Sequence, residues 1–199
     1  MAEIVREPKQ QRSIEKKNKI IQAGYELFAE VGYFSTNTAE IAKKAGVSTG
    51  IVYGYFHDKR DILLEVLEIY IQQMFRPIFQ KLEGICAPLD FSSFFPTLLD
   101  EIIEIHQNNS AIHQALHSMT HTDEAVERRF LELEDEMTKR TADKLEGLGY
   151  CRPDILERVH LAINIVQFHA HEWVYDRHAY LDYTVLKNKV LALLIALFD

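Results

Sequence analysis

Cysteine is nearly absent. Cys86 and Cys151 are the only two, and neither belongs to a CxxC pair, so no disulfide framework is written into the chain. A reducing compartment is the default expectation. Glycine and proline are sparse, 8 and 5 residues in 199, which disfavours a loop-rich or all-β chain. There is no glycine-rich phosphate loop, no GxSxG and no HExxH, and both cysteines lie near expected helix breaks without motif context. The expectation is that the chain is not an enzyme and carries no cofactor. The first residues, MAEIVREPKQQRSIEKKNK, contain no apolar core of a signal peptide. The longest apolar run, Val190 to Phe198, is far too short to span a bilayer. These features lead to the expectation of a cytoplasmic protein without a membrane partner.

The chain is rich in residues that favour helices, and its charge is unevenly divided. Net charge is -8, which by itself argues against a nucleic-acid binder. Residues 1–62, however, hold 10 Lys/Arg against 8 Asp/Glu, and residues 63–199 hold 12 against 22. A mildly basic first third joined to an acidic remainder suggests two units with different partners.

The apolar pattern is helical throughout, with no useful strand alternation and no internal repeat. Residues 1–12 read as a disordered arm. A helix follows from Ser13, with Ile20, Gly24, Leu27 and Val31 on one face and Gly32 as its stop. Asn37 caps a second helix and forms a capping box with Glu40, and Gly46 ends that helix. Ser48 or Thr49 caps a short third helix. A fourth starts at Asp58, and Pro77 kinks or ends it. Further helices are expected at about 91–107, 109–120, 123–147, 154–177 and 183–198. The expected fold is all-α, with roughly nine helices.

The stretch AGVSTGIVYGYFHDKRDIL, Ala45 to Leu63, is the most informative. Two short helices joined by AGVS form a helix-turn-helix. Gly46 permits the positive φ of a tight turn. Ala42 and Ala45 allow a close helix crossing, and Val47, Val52 and Phe56 anchor the second helix. The opposite face then presents Thr49, Gly50, Tyr53 and Gly54. Small residues at the start of such a helix allow close approach to a major groove.

GYFSTNTAEIAKKAGVSTGIVYGYFHDKRDIL resembles the DNA-binding domain of TetR/AcrR-family transcriptional regulators, matching at Gly32, Thr38, Ile41, Ala42, Gly46, Val47, Ser48, Val52, Tyr53, Phe56, Lys59 and Leu63. The resemblance implies a DNA-binding domain over residues 1–60 and a helical effector-binding and dimerisation domain over 61–199. It implies DNA contacts from Thr38, Ser48, Thr49, Gly50, Tyr53, Tyr55 and Lys59. Tyr55 stands where many relatives carry histidine. Asn37 replaces the usual capping threonine. Ala39 occupies a place where some relatives put a basic residue. Arg6, Lys9, Arg12, Lys16, Lys17 and Lys19 either add phosphate contacts or form a solvated face.

The resemblance also implies a homodimer on a palindromic operator in double-stranded DNA, with a small-molecule effector. The expected role is that of a repressor, released from its operator by a small, largely apolar effector; an activator is a further alternative. The last two helices are apolar on more than one side and need two partners; Ala162, Val166, Trp173, Val190, Leu194 and Leu197 are the candidates for a dimer interface. Aromatic residues of the middle either fill a core or line a cavity for an apolar effector. Phe75, Phe79, Phe95, His117, Phe168 and His171 are the candidate contacts. His113, His117 and His121 recur every four residues, and His169 and His171 neighbour Glu172, so a metal-responsive regulator is an alternative. An effector-independent DNA-binding protein is another.

Overall fold

A computed structural model describes residues 11–199, which form nine α-helices and no strand. They are α1 (Gln11–Val31), α2 (Thr38–Ala45), α3 (Thr49–Tyr53), α4 (Lys59–Gly84), α5 (Phe91–Asn108), α6 (Ser110–His117), α7 (Glu124–Gly147), α8 (Ile155–Tyr175) and α9 (Tyr183–Ala196). The expected all-α chain of about nine helices is what forms. Arg6, Lys9 and the proposed arm up to residue 10 lie outside the described residues. Pro77 does not end α4, which runs on to Gly84 with the proline ring in solvent.

The contacts divide the chain into two compact units. The first takes the described part of Met1–Gln73 with Ala111–Arg129, and the second takes Met74–Ser110 with Phe130–Asp199. The boundary expected after residue 60 falls at the second residue of α4.

In the first unit, local signals set the helix ends. Asn37 accepts from the Glu40 amide at 3.0 Å, and the Glu40 carboxylate accepts from the Asn37 amide at 3.0 Å. That capping box satisfies two amides that the first turn of α2 cannot. Gly46 closes α2 in the left-handed region at φ 69°, a conformation costly for any residue with a Cβ. α2 packs on both α1 and α3. The core is Ile20, Phe28, Ile41, Val52, Phe56, Ile62, Leu63 and Val66, all buried. The inward face of α1 differs from expectation: Val31 is 52% exposed, and Ile21 and Phe28 turn inward instead.

Asp123 does two jobs in this unit. Its carboxylate accepts from the amides of Ala125 and Val126 at the start of α7, and from Arg60 Nε and, at 2.9 Å, Arg60 Nη2. The Arg60 hydrogen bonds hold the Asp123 carboxyl below its ordinary value of 3.8. A group whose folded pKa is lowered contributes stability that is present above its unfolded pKa and is lost as pH falls through the folded value. Asp123→Asn keeps a capping oxygen but removes the charge. The variant is therefore expected to be less stable than wild type at pH 7, and the difference should shrink in urea unfolding as pH falls below about 4. A difference independent of pH would contradict this account.

The second unit is built on α5, α8 and α9, which pack on one another. α5 contributes Phe91, Phe95, Leu99, Ile102 and Ile103, and α8 contributes Ile155, Val159, Ala162, Val166 and Ala170. α9 and the residues after it add Val190, Leu194 and Phe198. Rings organise one end: Phe91 stacks on Phe198 at 4.8 Å and meets Tyr150 edge-on at 5.0 Å. The Tyr150 hydroxyl donates to the Leu89 carbonyl at 2.7 Å. No described helix is long and apolar enough to cross a membrane.

Candidate functional site

α3 is a five-residue helix held by one face. Val52 is fully buried and Phe56, just beyond the helix, is nearly so. Ser48, Gly50 and Tyr53 are exposed, while Thr49 and, at the first turn of α2, Thr38 are partly exposed. A Cβ added at Gly50 would meet nothing closer than Ser48 Oγ at 4.0 Å, so the space above Gly50 is open. The surface is therefore a short, low ridge with hydroxyl groups on it and no bulky side chain over its start. Such a ridge can be brought close to base edges and phosphates.

Two of the expected DNA contacts have their polar ends engaged elsewhere. The Tyr55 hydroxyl shares a hydrogen bond with Ser13 Oγ of α1 at 2.7 Å. Lys59 Nζ donates to the carbonyls of Tyr33 and Thr36 at 2.6 and 2.7 Å and lies 4.1 Å from the centroid of the Tyr33 ring. Those carbonyls lie in the loop between α1 and α2, outside the helical hydrogen-bond ladder. Burial lowers the Lys59 pKa. In this structure Tyr55 is tied to α1 and Lys59 to the loop between α1 and α2.

The second unit contains an open cavity of about 100 Å³. Ile78 and Leu82 of α4, Phe91, Phe94, Phe95 and Ile102 of α5, Met137 of α7, and Val159, Ile163 and Val166 of α8 are among its lining residues, with Phe198. An apolar cavity of about 150 Å³ takes up benzene, so this one accepts a slightly smaller group, with its mouth free for the rest of a ligand.

Of the six candidate effector contacts, Phe95 lines this cavity. Phe168 does not: it is 73% exposed, on the side of α8 away from the buried stripe Val159, Ala162, Val166 and Ala170. The Phe79 ring is covered by the Arg140 guanidinium at 3.9 Å, and Phe75 is half-buried. His117 belongs to the first unit, where its ring lies 4.0 Å from that of His113. His171 sits beside Tyr175 and 3.5 Å from Asp176. Phe91 and Phe94 are neighbours of Phe95 in the same aromatic run, and that was their available signal. Phe198 and Ile78 gave none.

Three histidines, His106, His113 and His169, are buried. His113 Nδ1 shares a hydrogen bond with the buried Tyr70 hydroxyl at 2.5 Å. Burial lowers the pKa of His106 and of His169, so both are held neutral. Among the described residues, no group of three or more His, Cys, Asp or Glu is placed to hold a metal ion. The spacing of four puts His113 and His117 on one face, with their rings in contact and tilted by 31°.

The dimer candidates need correction. Ala162, Val166, Val190 and Leu194 are at most 9% exposed within a single chain, and Leu194 is wholly buried. They form the core of their own unit and have no surface to offer. Trp173 and Leu197 are half-buried. The large apolar residues left in solvent on the same helices are Leu156, Leu161 and Phe168 of α8 and Val185 and Leu193 of α9.

Residues 20–66 match the family model for bacterial regulatory proteins of the tetR family. That segment contains α2, α3 and the exposed ridge, and the likeness extends past it. The HTH-type transcriptional regulator HbdR of Aromatoleum sp. is 28% identical over 172 residues, 84% of this chain and 72% of that protein. The chain carries a DNA-binding segment of the TetR family. The fold of the whole chain agrees: the structure of a TetR-family transcriptional regulator from Mesorhizobium loti superposes with a TM-score of 0.75, at 21% identity, over 94% of this chain and 97% of that one. The Bacillus subtilis fatty acid metabolism regulator protein is 40% identical over 70 residues, which is 33% of this chain and 36% of that protein. This chain is thus similar to transcriptional regulators along most of its length.

Proposed function

We propose that the protein is a homodimeric repressor that binds a palindromic operator through α3 and is released by a small, largely apolar effector in the second-unit cavity. The observation that carries this reading is the pairing of an open, hydroxyl-bearing ridge at α3 with an apolar cavity in the other unit. A protein that bound DNA without an effector would gain nothing from an opening in its core. The match to the Bacillus subtilis fatty acid metabolism regulator covers 33% of this chain, so the effector is argued from the cavity alone.

The dimer is proposed to form through the outer faces of α8 and α9. Leu161 and Phe168 are 49% and 73% exposed, and Val185 and Leu193 are 53% and 59% exposed. Positions 161, 165 and 168 share one face of α8, and 185, 189 and 193 share one face of α9. Two copies about a two-fold axis bury both faces and present two α3 helices to a two-fold DNA site. Phe168→Glu with Leu193→Glu is expected to give a monomer in sedimentation while circular dichroism stays wild-type. Retention of the dimer would remove this surface from the account, and a monomeric wild type would remove the dimer.

A further inference from the structure

Lys81 is the one charged residue among those lining the cavity. Its ammonium group pairs with Glu101 of α5, one residue before the lining residue Ile102. Both side chains of the pair are partly in solvent, 35% for Lys81 and 44% for Glu101. The pair therefore sits at the mouth, and a partly solvated pair of this kind is weak and readily exchanged. A lysine can lay its methylenes on apolar surface and keep its charge in water, and so mark where an apolar phase ends.

We propose that the effector is an amphipathic monocarboxylate, whose apolar body fills the cavity and whose carboxylate replaces that of Glu101 at Lys81. This rests on the reading of the cavity as the effector site. The argument is one of exclusion and complement. A cationic head at the mouth faces the ammonium of Lys81 and is repelled. A neutral head is left with the Thr141 hydroxyl and the Gln167 amide, which also line the cavity but carry no charge. A carboxylate gains a charge-assisted hydrogen bond at the edge of an apolar phase, where it is stronger than in water. The exchange also releases Glu101, and with it the ion-pair tie between α4 and α5.

The test is calorimetric titration of the full-length protein with octanoate, octan-1-ol and octylamine, which share a chain and differ in the head. Wild type is expected to bind octanoate about threefold more tightly than octan-1-ol, less than the roughly tenfold worth of one whole charge-assisted contact because the Glu101 pair is given up in exchange, and octylamine least. Lys81→Met should remove the preference while leaving octan-1-ol affinity within about twofold, which also shows that the variant is folded. Glu101→Gln, which removes the competing carboxylate, should tighten octanoate. Equal affinity of wild type for octanoate and octan-1-ol, or a preference that survives Lys81→Met, overturns the carboxylate assignment and leaves the cavity standing. Failure of all three compounds to bind overturns the cavity as effector site, and the assignment with it.

Discussion

Gly50→Glu is expected to fold like wild type and to lose operator binding by roughly 100-fold or more, because a carboxylate set against phosphates costs several kcal/mol. The fold is spared because a Cβ at this position enters open space, with Ser48 Oγ at 4.0 Å as its nearest neighbour. Gly50 is an αR residue inside α3 with no positive φ, so its backbone accepts other side chains. The side chain that follows the Cβ occupies the ridge between Ser48 and Tyr53, where close approach is needed. Gel-shift titration beside a thermal melt measures both quantities. A folded Gly50→Glu variant that binds the operator normally would move the DNA contact away from α3.

Gly24→Val is expected to do the opposite, failing in stability first. A Cβ at Gly24 would lie 2.6 Å from Ile62 Cγ2, inside any real contact distance, and 3.7 Å from Val66 Cγ2. Both neighbours are branched and fully buried, so neither can swing clear. α1 and α4 must separate at this point or strain their side chains. Overpacking of this kind costs about 3 kcal/mol at the upper end of the usual range, and valine's modest gain over glycine in helix propensity offsets little of it. Loss of roughly 6–12 °C in Tm follows for a chain of this size. A melt within a degree or two of wild type would show that the helices separate freely.

How much of this was legible in the sequence depended on how far apart the cooperating residues stood. The capping box at Asn37 and Glu40 and the left-handed turn at Gly46 are local devices, and residues within four positions of each other specify them. They could be read directly, and with them the helix-turn-helix. The inward face of α1 was harder. Val31 and Phe28 stand three apart, both fit a helical stripe, and only the packing of α1 shows that Phe28 is buried and Val31 is not.

The faces of α8 and α9 were misread for a related reason. A helix apolar on two sides announces that both sides are covered, without saying which is covered by its own chain. Leu161 and Ala162 are adjacent in sequence and about 100° apart on the helix, yet one is 49% exposed and the other 7%. The cavity was least legible. Its wall joins Ile78 to Phe198 across more than half the chain, and no periodicity relates them. The ion pair of Lys81 with Glu101 is likewise a product of the fold.

The central claim is that this chain reads DNA as a two-fold dimer through α3. It is tested most directly by selecting bound duplexes from a random-sequence pool with the wild-type protein and footprinting the winners. The account predicts an inverted repeat whose half-sites are centred about one helical turn, roughly 10 base pairs, or a multiple of it apart. It further predicts that Gly50→Glu enriches nothing from the same pool. A selected pool with no inverted repeat, or one that Gly50→Glu enriches equally well, would contradict it.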